Sequence, residues 1–273
     1  MQKAWFYEEY GPKEVLKLGD LPIPSPLHNQ LLVQVHAAAL NPIDSKRRLR
    51  PIFPSEFPVV PGCDMAGVVI GKGINVKKFE IGDEVYGNIQ DFNNTDENPK
   101  QLGTLAQFIV VEEKLVARKP KCLSFEEAAS LPLAVQTAIE GFKTGDFKKG
   151  DCKKSIVVAK KDGAIVDITW PPSHPRAVYS SLSVSGEILE NLRPYLERGE
   201  LKAVIDPKGE YDFENVIEAF GYIETGRAWG KVVVSCFPNN NMENHHSSNI
   251  LSEIDNNIQH VSGNLAKDLY CLK

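Results

Sequence analysis

Cysteine is sparse: five in 273 residues, at 63, 122, 152, 236 and 271, with no C-x-x-C pair among them. That scatter excludes a spaced zinc lobe and a small disulfide framework, and it fits reduced thiols in a cytoplasmic protein. Long apolar runs are missing too, and nothing approaches the roughly 20 residues a membrane-crossing helix needs. Basic excess is absent: 31 Lys and Arg against 36 Asp and Glu leave a net charge of −5, so nucleic acid is not an expected partner. No G-x-S-x-G elbow occurs, and no His is placed to pair with a particular Cys, which leaves serine and cysteine hydrolase chemistry without support. The amino terminus, MQKAWFYEEYG, has neither the build of a secretory leader nor that of an acid-poor transit peptide, and it reads as a first strand. A cytoplasmic location is the expectation.

What is present is ordinary in bulk, with 42% hydrophobic and 25% charged residues, enough for one large or two modest domains. The informative stretch is Pro58 to Gly87, which with Phe57 reads FPVVPGCDMAGVVIGKGINVKKFEIGDEVYG. Prolines 58 and 61 fix φ and withhold donors, so the approach belongs on an edge, while Gly62 and Gly82 permit tight corners. Strands are predicted at Met65 to Ile70 and from Glu84, with a turn at Gly71 and Gly73. This is the pattern of a small, strongly bent β-barrel. Gln30 to Leu40 is a further strand feeding a turn at Asn41-Pro42, and His36 within it is read as a half-buried side chain. Asn88 to Leu102 is a polar loop, and Gly103 to Lys119 a strand pair. Leu123 to Phe142 is helical, capped by Ser124 with Glu126 and Glu127 at its start and broken by Pro132.

Further on, a helix is expected at Lys153 to Lys160, a strand at Ala164 to Ile168, and an amphipathic helix at Glu187 to Glu200 stopped by Gly199. A short strand at Leu201 to Ile205, a helix at Phe213 to Thr225 and a last strand at Lys231 to Cys236 follow. Beyond Pro238 the chain is Asn-rich. Ile250, Ile254, Ile258, Val261, Leu265 and Leu269 then mark an amphipathic helix, and His245-His246 is read as a solvated pair.

The string P-x-V-P-G-x-D-x-A-G-V-V followed by G-D-x-V-Y-G resembles the medium-chain dehydrogenase/reductase superfamily, in its zinc-free quinone and enone reductase branch. The resemblance covers residues 3 to about 238. It implies an α/β plus β fold: a GroES-like β-barrel over 1–122 and a Rossmann-type cofactor domain over 123–207. A return segment over 208–238 would pack on the barrel, ahead of a polar linker and tail helix over 239–273. The cofactor domain is incomplete. Near Gly150-Asp151 the chain joins sequences that the family separates by at least two βαβ-type units, roughly 60 or more residues.

The same resemblance assigns roles. Asn41-Pro42-Ile43-Asp44-Ser45-Lys46 matches the family's N-P-[VI]-D-x-K turn at the active-site rim. Asn41 would lie near the nicotinamide and substrate carbonyl, and Lys46 would donate to a cofactor or substrate oxygen. From the residues alone, the segment is a turn whose Asn and Asp bond locally, with Lys46-Arg47-Arg48 a solvated run. Thr137, Ile168, Arg227 and Ala228 would line the cofactor, NADPH, and Trp229 departs from the family's R-A-x-G-K turn. Cys63 stands alone where the zinc-using branch has a ligand set, so no metal is expected. Gly71-Lys72-Gly73-Ile74-Asn75-Val76, the nearest approach to a dinucleotide signature, lacks the third glycine and precedes no helix.

The resemblance implies NADPH-dependent reduction of the activated C=C bond of α,β-unsaturated ketones or quinones, and a homodimer is the assembly it would suggest. The competing readings are a truncated, non-catalytic isoform and an interaction protein using the barrel alone.

Overall fold

Strand β3 (Gln30–Leu40) is where the architecture begins, because eight of its eleven residues are buried and both of its edges are used. The computed structural model describes residues 1–52, 55–90, 103–144, 165–167, 177–180 and 182–237. Along one edge, β3 pairs antiparallel with β4 (Asp64–Lys72), from Leu31 opposite Lys72 to Ala39 opposite Asp64. The other edge is shared. Residues 30–34 of β3 take β6 (Phe108–Glu112), and residues 37–40 take β11 (Lys231–Ser235). Strands β5 (Glu84–Asn88) and β7 (Val116–Arg118) continue antiparallel beyond β4, while β10 (Ile205–Asp212) lies parallel to β11. The hairpin of β1 (Gln2–Phe6) and β2 (Lys17–Leu21) is held to the rest by the bridges Ala4–Ala106 and Tyr7–Val59. The expected barrel therefore takes the form of a bent seven-stranded sheet with a bridged hairpin.

Alanines decide where the helices sit. Ala37, Ala39 and Ala66 face α2 (Phe125–Ala129), whose Ala128 and Ala129 are buried in the same cluster. Ser124 caps α2, accepting from the Glu127 N–H, while Glu127 reaches back to the Ser124 N–H. Pro132 starts α3 (Pro132–Thr144), so the expected break is observed as a junction of two helices. Helix α4 (Gly186–Glu197) meets the β7 side of the sheet through the Tyr86 hydroxyl, which donates to the Leu189 carbonyl over 3.1 Å. Gly199 follows it at φ +68°, a left-handed cap only glycine adopts without strain. Strands β8 (Ile165–Asp167) and β9 (Ala177–Tyr179) form a separate parallel pair. Helix α5 (Val216–Glu224) packs on the main core.

Two expectations are corrected. Asn41 to Asp44 is not a free turn but the start of α1 (Pro42–Leu49). Asn41 is extended at the cap, Pro42 supplies a ready helical φ, and Asp44 accepts from the Asn41 N–H over 2.7 Å. The strand expected at Leu201 to Ile205 instead runs from Ile205 to Asp212, through Pro207 and Gly209. Both read as breakers, and they are tolerated because β10 is an edge strand with an irregular register between Ile205 and Glu210. The helix expected at Lys153 to Lys160, the junction at Gly150-Asp151, most of the Asn88 to Leu102 loop, His245-His246 and the tail helix all lie outside the described residues.

Gly71 lies inside β4, opposite Leu32, so the expected turn begins only at Gly73, whose carbonyl accepts from the Val76 N–H over 3.1 Å. A Cβ on Gly73 would land on the carbonyl oxygens of Leu27 and His28, so its bareness serves chain packing. Gly73→Ala is therefore expected to lower unfolding free energy by about 2 kcal/mol. Urea unfolding midpoints within error of the parent protein would contradict that assignment.

Candidate functional site

Asp64 is fully buried at the start of β4, and its carboxylate collects three donors. The Asn41 amide donates over 2.9 Å, the Lys231 ammonium over 3.2 Å, and the Leu133 N–H at the start of α3 over 3.0 Å. Lys231 also donates to the Asn41 amide oxygen. Four elements thus converge on one carboxylate: the β3–α1 junction, β4, α3 and β11. Burial raises the Asp64 pKa, while Lys231 and the amide donors pull the other way.

Beside this cluster lies a second buried carboxylate. Asp44 accepts from the Asn41 N–H and, over 3.2 Å, from the Cys63 thiol. Burial pushes Asp44 up to about 6 and raises the Cys63 thiol, with Asp44 adding to that rise. Cys63 is therefore a protonated donor, not a thiolate nucleophile.

Each residue singled out from the sequence can now be located. Asn41 is buried, with its amide committed to Asp64 and Lys231. Lys46 is exposed on α1. Thr137 is half-buried on α3, next to Gln136, whose amide donates to the Ser185 carbonyl over 2.9 Å and ties α3 to the approach of α4. Arg227 is exposed and Ala228 packs against the main core, both in the turn that leads from α5 into β11. Asp206 clamps that turn by accepting from the Trp229 N–H over 2.8 Å. The Trp229 ring is 94% exposed. Ile168 lies outside the described residues. His36 is half-buried and stacks on Phe125 at 4.3 Å between ring centres, with burial lowering its pKa.

The structure joins Asn41 to Lys231 through Asp64. Sequence reasoning used Lys231 only as the start of a strand and gave Asp64 no role. The signal was available in the P-G-C-D and G-K positions of the quoted strings, but only folding brings them together.

Two family models match the chain: "Alcohol dehydrogenase GroES-like domain" over residues 28–121 and "Zinc-binding dehydrogenase" over 142–234. A 2-methylene-furan-3-one reductase of Solanum lycopersicum is 37% identical over 86% of this chain and 79% of its own length. This chain belongs to the medium-chain dehydrogenase/reductase superfamily. A chloroplastic NADPH-dependent alkenal/one oxidoreductase of Arabidopsis thaliana is 35% identical to this superfamily member over 86% of the chain and 80% of the relative. Among solved structures, the quinone oxidoreductase from Coxiella burnetii superposes with a TM-score of 0.73 at 24% identity, covering 86% of this chain and 99% of that one. This likeness bears on the fold: a GroES-like domain with a Rossmann-like one. The Solanum alignment spans 313 positions but draws on 86% of 273 residues, so about 80 positions of that relative have no counterpart here.

Two groups typical of such proteins can be tested against the residues present. Among the described residues no cluster of three or more His, Cys, Asp or Glu could hold a metal, and the Asp44, Asp64 and Cys63 donors are spent on one another and on their neighbours. Zinc does not fit there. A dinucleotide pyrophosphate needs bare glycine backbone at a helix start. Gly67, Gly73, Gly87, Gly103 and Gly186 each press against this chain's own backbone, and Gly82, Gly199 and Gly226 sit in turns at positive φ. The described residues hold no phosphate cradle.

The raised Asp44 pKa sets a sign. The folded protein holds that proton more tightly than the unfolded chain, so Asp44's contribution favours folding below about pH 4 and is lost as pH rises through about 6. Asp44→Asn removes the titration, so its melting temperature should fall less between pH 4 and pH 7 than that of the parent. Parallel melting curves across that range would refute the link.

Proposed function

We propose that this chain is an oxidoreductase of the quinone and enone reductase type, acting on the activated C=C bond of an α,β-unsaturated ketone or a quinone with NADPH as reductant. The observation that carries the reading is the 37% identity, over 86% of the chain, to a relative named for reducing a methylene-furanone. The relative named for NADPH and alkenal/one substrates agrees in coverage and supports the choice of reductant. Both weigh against the truncated, non-catalytic alternative.

In this chemistry a nicotinamide supplies hydride to the β-carbon. What the chain must supply is a dry site and donors for the oxygen on which negative charge collects. On this reading Asn41 is a positioning residue. Its amide is locked by Asp64 and Lys231, so it fixes the rim on which substrate lies and presents the Lys231 ammonium, whose side chain is 16% exposed, at a set height. Two of the three donors of that ammonium are used here, on the Asn41 amide oxygen and on Asp64. Lys46, exposed on α1, offers a second cation to a cofactor or substrate oxygen. Thr137, Arg227 and Ala228 are the residues proposed to face the nicotinamide end. A cytoplasmic location is supported by the free thiols of Cys63, Cys122 and Cys236, although one relative is named as chloroplastic.

With no glycine cradle among the described residues, the nicotinamide end is expected to supply most of the grip on the nucleotide. NADPH titrated into the protein and followed by its fluorescence should give a dissociation constant of about 100 μM or weaker. Slow oxidation of NADPH should accompany it when an alkyl vinyl ketone is added. Low-micromolar binding, which working enzymes of this kind reach, would show that the pyrophosphate is cradled after all. Absence of vinyl-ketone and quinone reduction at saturating NADPH would end the reductase reading.

A further inference from the structure

A second polar site adjoins Asp44. Tyr7, Asp44, Arg47, Gln90 and the segment Val59 to Gly62 line a small, half-open recess with room for a single water-sized group. Its wall is fixed on one side by backbone: Tyr7 and Val59 exchange both of their N–H to carbonyl hydrogen bonds, at 3.0 and 2.9 Å. On the other side, α1 turns Arg47 inward while the adjacent Lys46 stays exposed, and Arg47 donates to the Gln90 amide oxygen over 3.1 Å. Tyr7 and Arg47 are both more than nine-tenths buried. Among the described residues the Tyr7 hydroxyl makes no hydrogen bond, although it lines the recess.

We propose that this recess seats the carbonyl oxygen of a conjugated ligand, a quinone or enone, with the Tyr7 hydroxyl donating to it and the Arg47 guanidinium supplying positive charge. The inference rests on the reductase reading and names where in that site the substrate oxygen goes. A hydroxyl with no protein partner at such a recess is free to donate to a ligand oxygen. Burial holds the Tyr7 phenol up at about 12, so it remains a neutral donor throughout the physiological range. The size of the recess admits one oxygen and not a ring, which leaves the conjugated body outside the opening.

The charge balance narrows the ligand class. Asp44 shares the lining with Arg47, and its two oxygens are already taken by the Asn41 N–H and the Cys63 thiol. A carboxylate ligand would enter beside an acidic group, whereas a neutral carbonyl would not meet that repulsion. A carbonyl oxygen that gains negative charge during reduction would then be met by Arg47 at the moment the charge appears. The site selects a neutral oxygen that becomes anionic over one that is anionic at the outset.

The test uses the full chain and duroquinone, whose four methyl groups suppress addition of thiols to the ring. Calorimetric titration of duroquinone is expected to show binding that Tyr7→Phe weakens about five- to tenfold, the size of one neutral hydrogen bond. Arg47→Met should weaken it further and Arg47→Lys less than Arg47→Met, while sodium benzoate should not compete. Tyr7→Phe removes a hydroxyl that supports no described contact, so its melting temperature should match the parent and the affinity change cannot be charged to unfolding. Equal duroquinone affinity in Tyr7→Phe and parent, no duroquinone binding by the parent, or displacement by benzoate would each overturn the proposal. NADPH oxidation is read in parallel. Turnover with unchanged Tyr7→Phe affinity sinks this inference and leaves the reductase reading standing. Weakened affinity without turnover does the reverse.

Discussion

One buried carboxylate sets the constraint on which the site depends. An ionised group cannot be taken out of water unless donors replace its solvent, and Asp64 has no exposed surface at all. Its replacement shell comes from a helix start, an amide and an ammonium drawn from positions 133, 41 and 231. None of the three is near another in sequence. Satisfying Asp64 therefore requires that α3, the β3–α1 junction and β11 arrive together. A chain in which any one is displaced leaves a buried charge short of a partner, which costs several kcal/mol. The same bonds hold the Asn41 amide in a single orientation, so stability and the geometry of the rim are properties of one cluster.

The sheet makes that convergence possible. Because β6 occupies only residues 30–34 along one edge of β3, residues 37–40 remain open to a late strand. Strand β11 enters there, from nearly two hundred residues downstream, and carries Lys231 to Asn41 at the end of β3. The alanines at 37 and 39 keep this end thin enough for α2 to lie close. Small side chains, a shared edge and a lysine at the first residue of β11 thus act in sequence: packing sets the spacing, spacing sets the ion pair, and the ion pair orients the amide.

What the sequence made legible followed local rules. The β-rich first half, the helix break at Pro132, the Ser124 cap, the Gly199 stop and the last strand at Lys231 were all readable from turn chemistry and periodicity, and the quoted strings carried the family. The start of α1 was misread because Asn-Pro signals a turn as readily as a cap, and only Asp44 at the third helical position separates the two. Strand β10 was misplaced because Pro207 and Gly209 argue against a strand anywhere except on an irregular edge. Lys231 and Asp64 went unassigned as functional residues for a different reason. Their relation is a contact across 167 positions, and no single-chain spacing encodes it.

The run Lys46-Arg47-Arg48 makes the same point at the scale of one helical turn. Read as a string it is a solvated basic patch, and solvation is where Lys46 ends. Arg48 instead is wholly buried, donating to the Gly11 carbonyl and the Glu224 carboxylate with Phe220 beneath its guanidinium at 5.4 Å. Arg47, one position earlier and about 100° away around the helix, faces the recess with Tyr7. Three adjacent cations thus meet three different environments, because a helix turns successive residues away from one another. Arg48 anchors α1 to α5, and that anchor fixes the angle at which Arg47 is presented. The charge in the recess is therefore held by a neighbour that never touches it, which is why a structural arginine and a ligand-facing one stand side by side in the sequence.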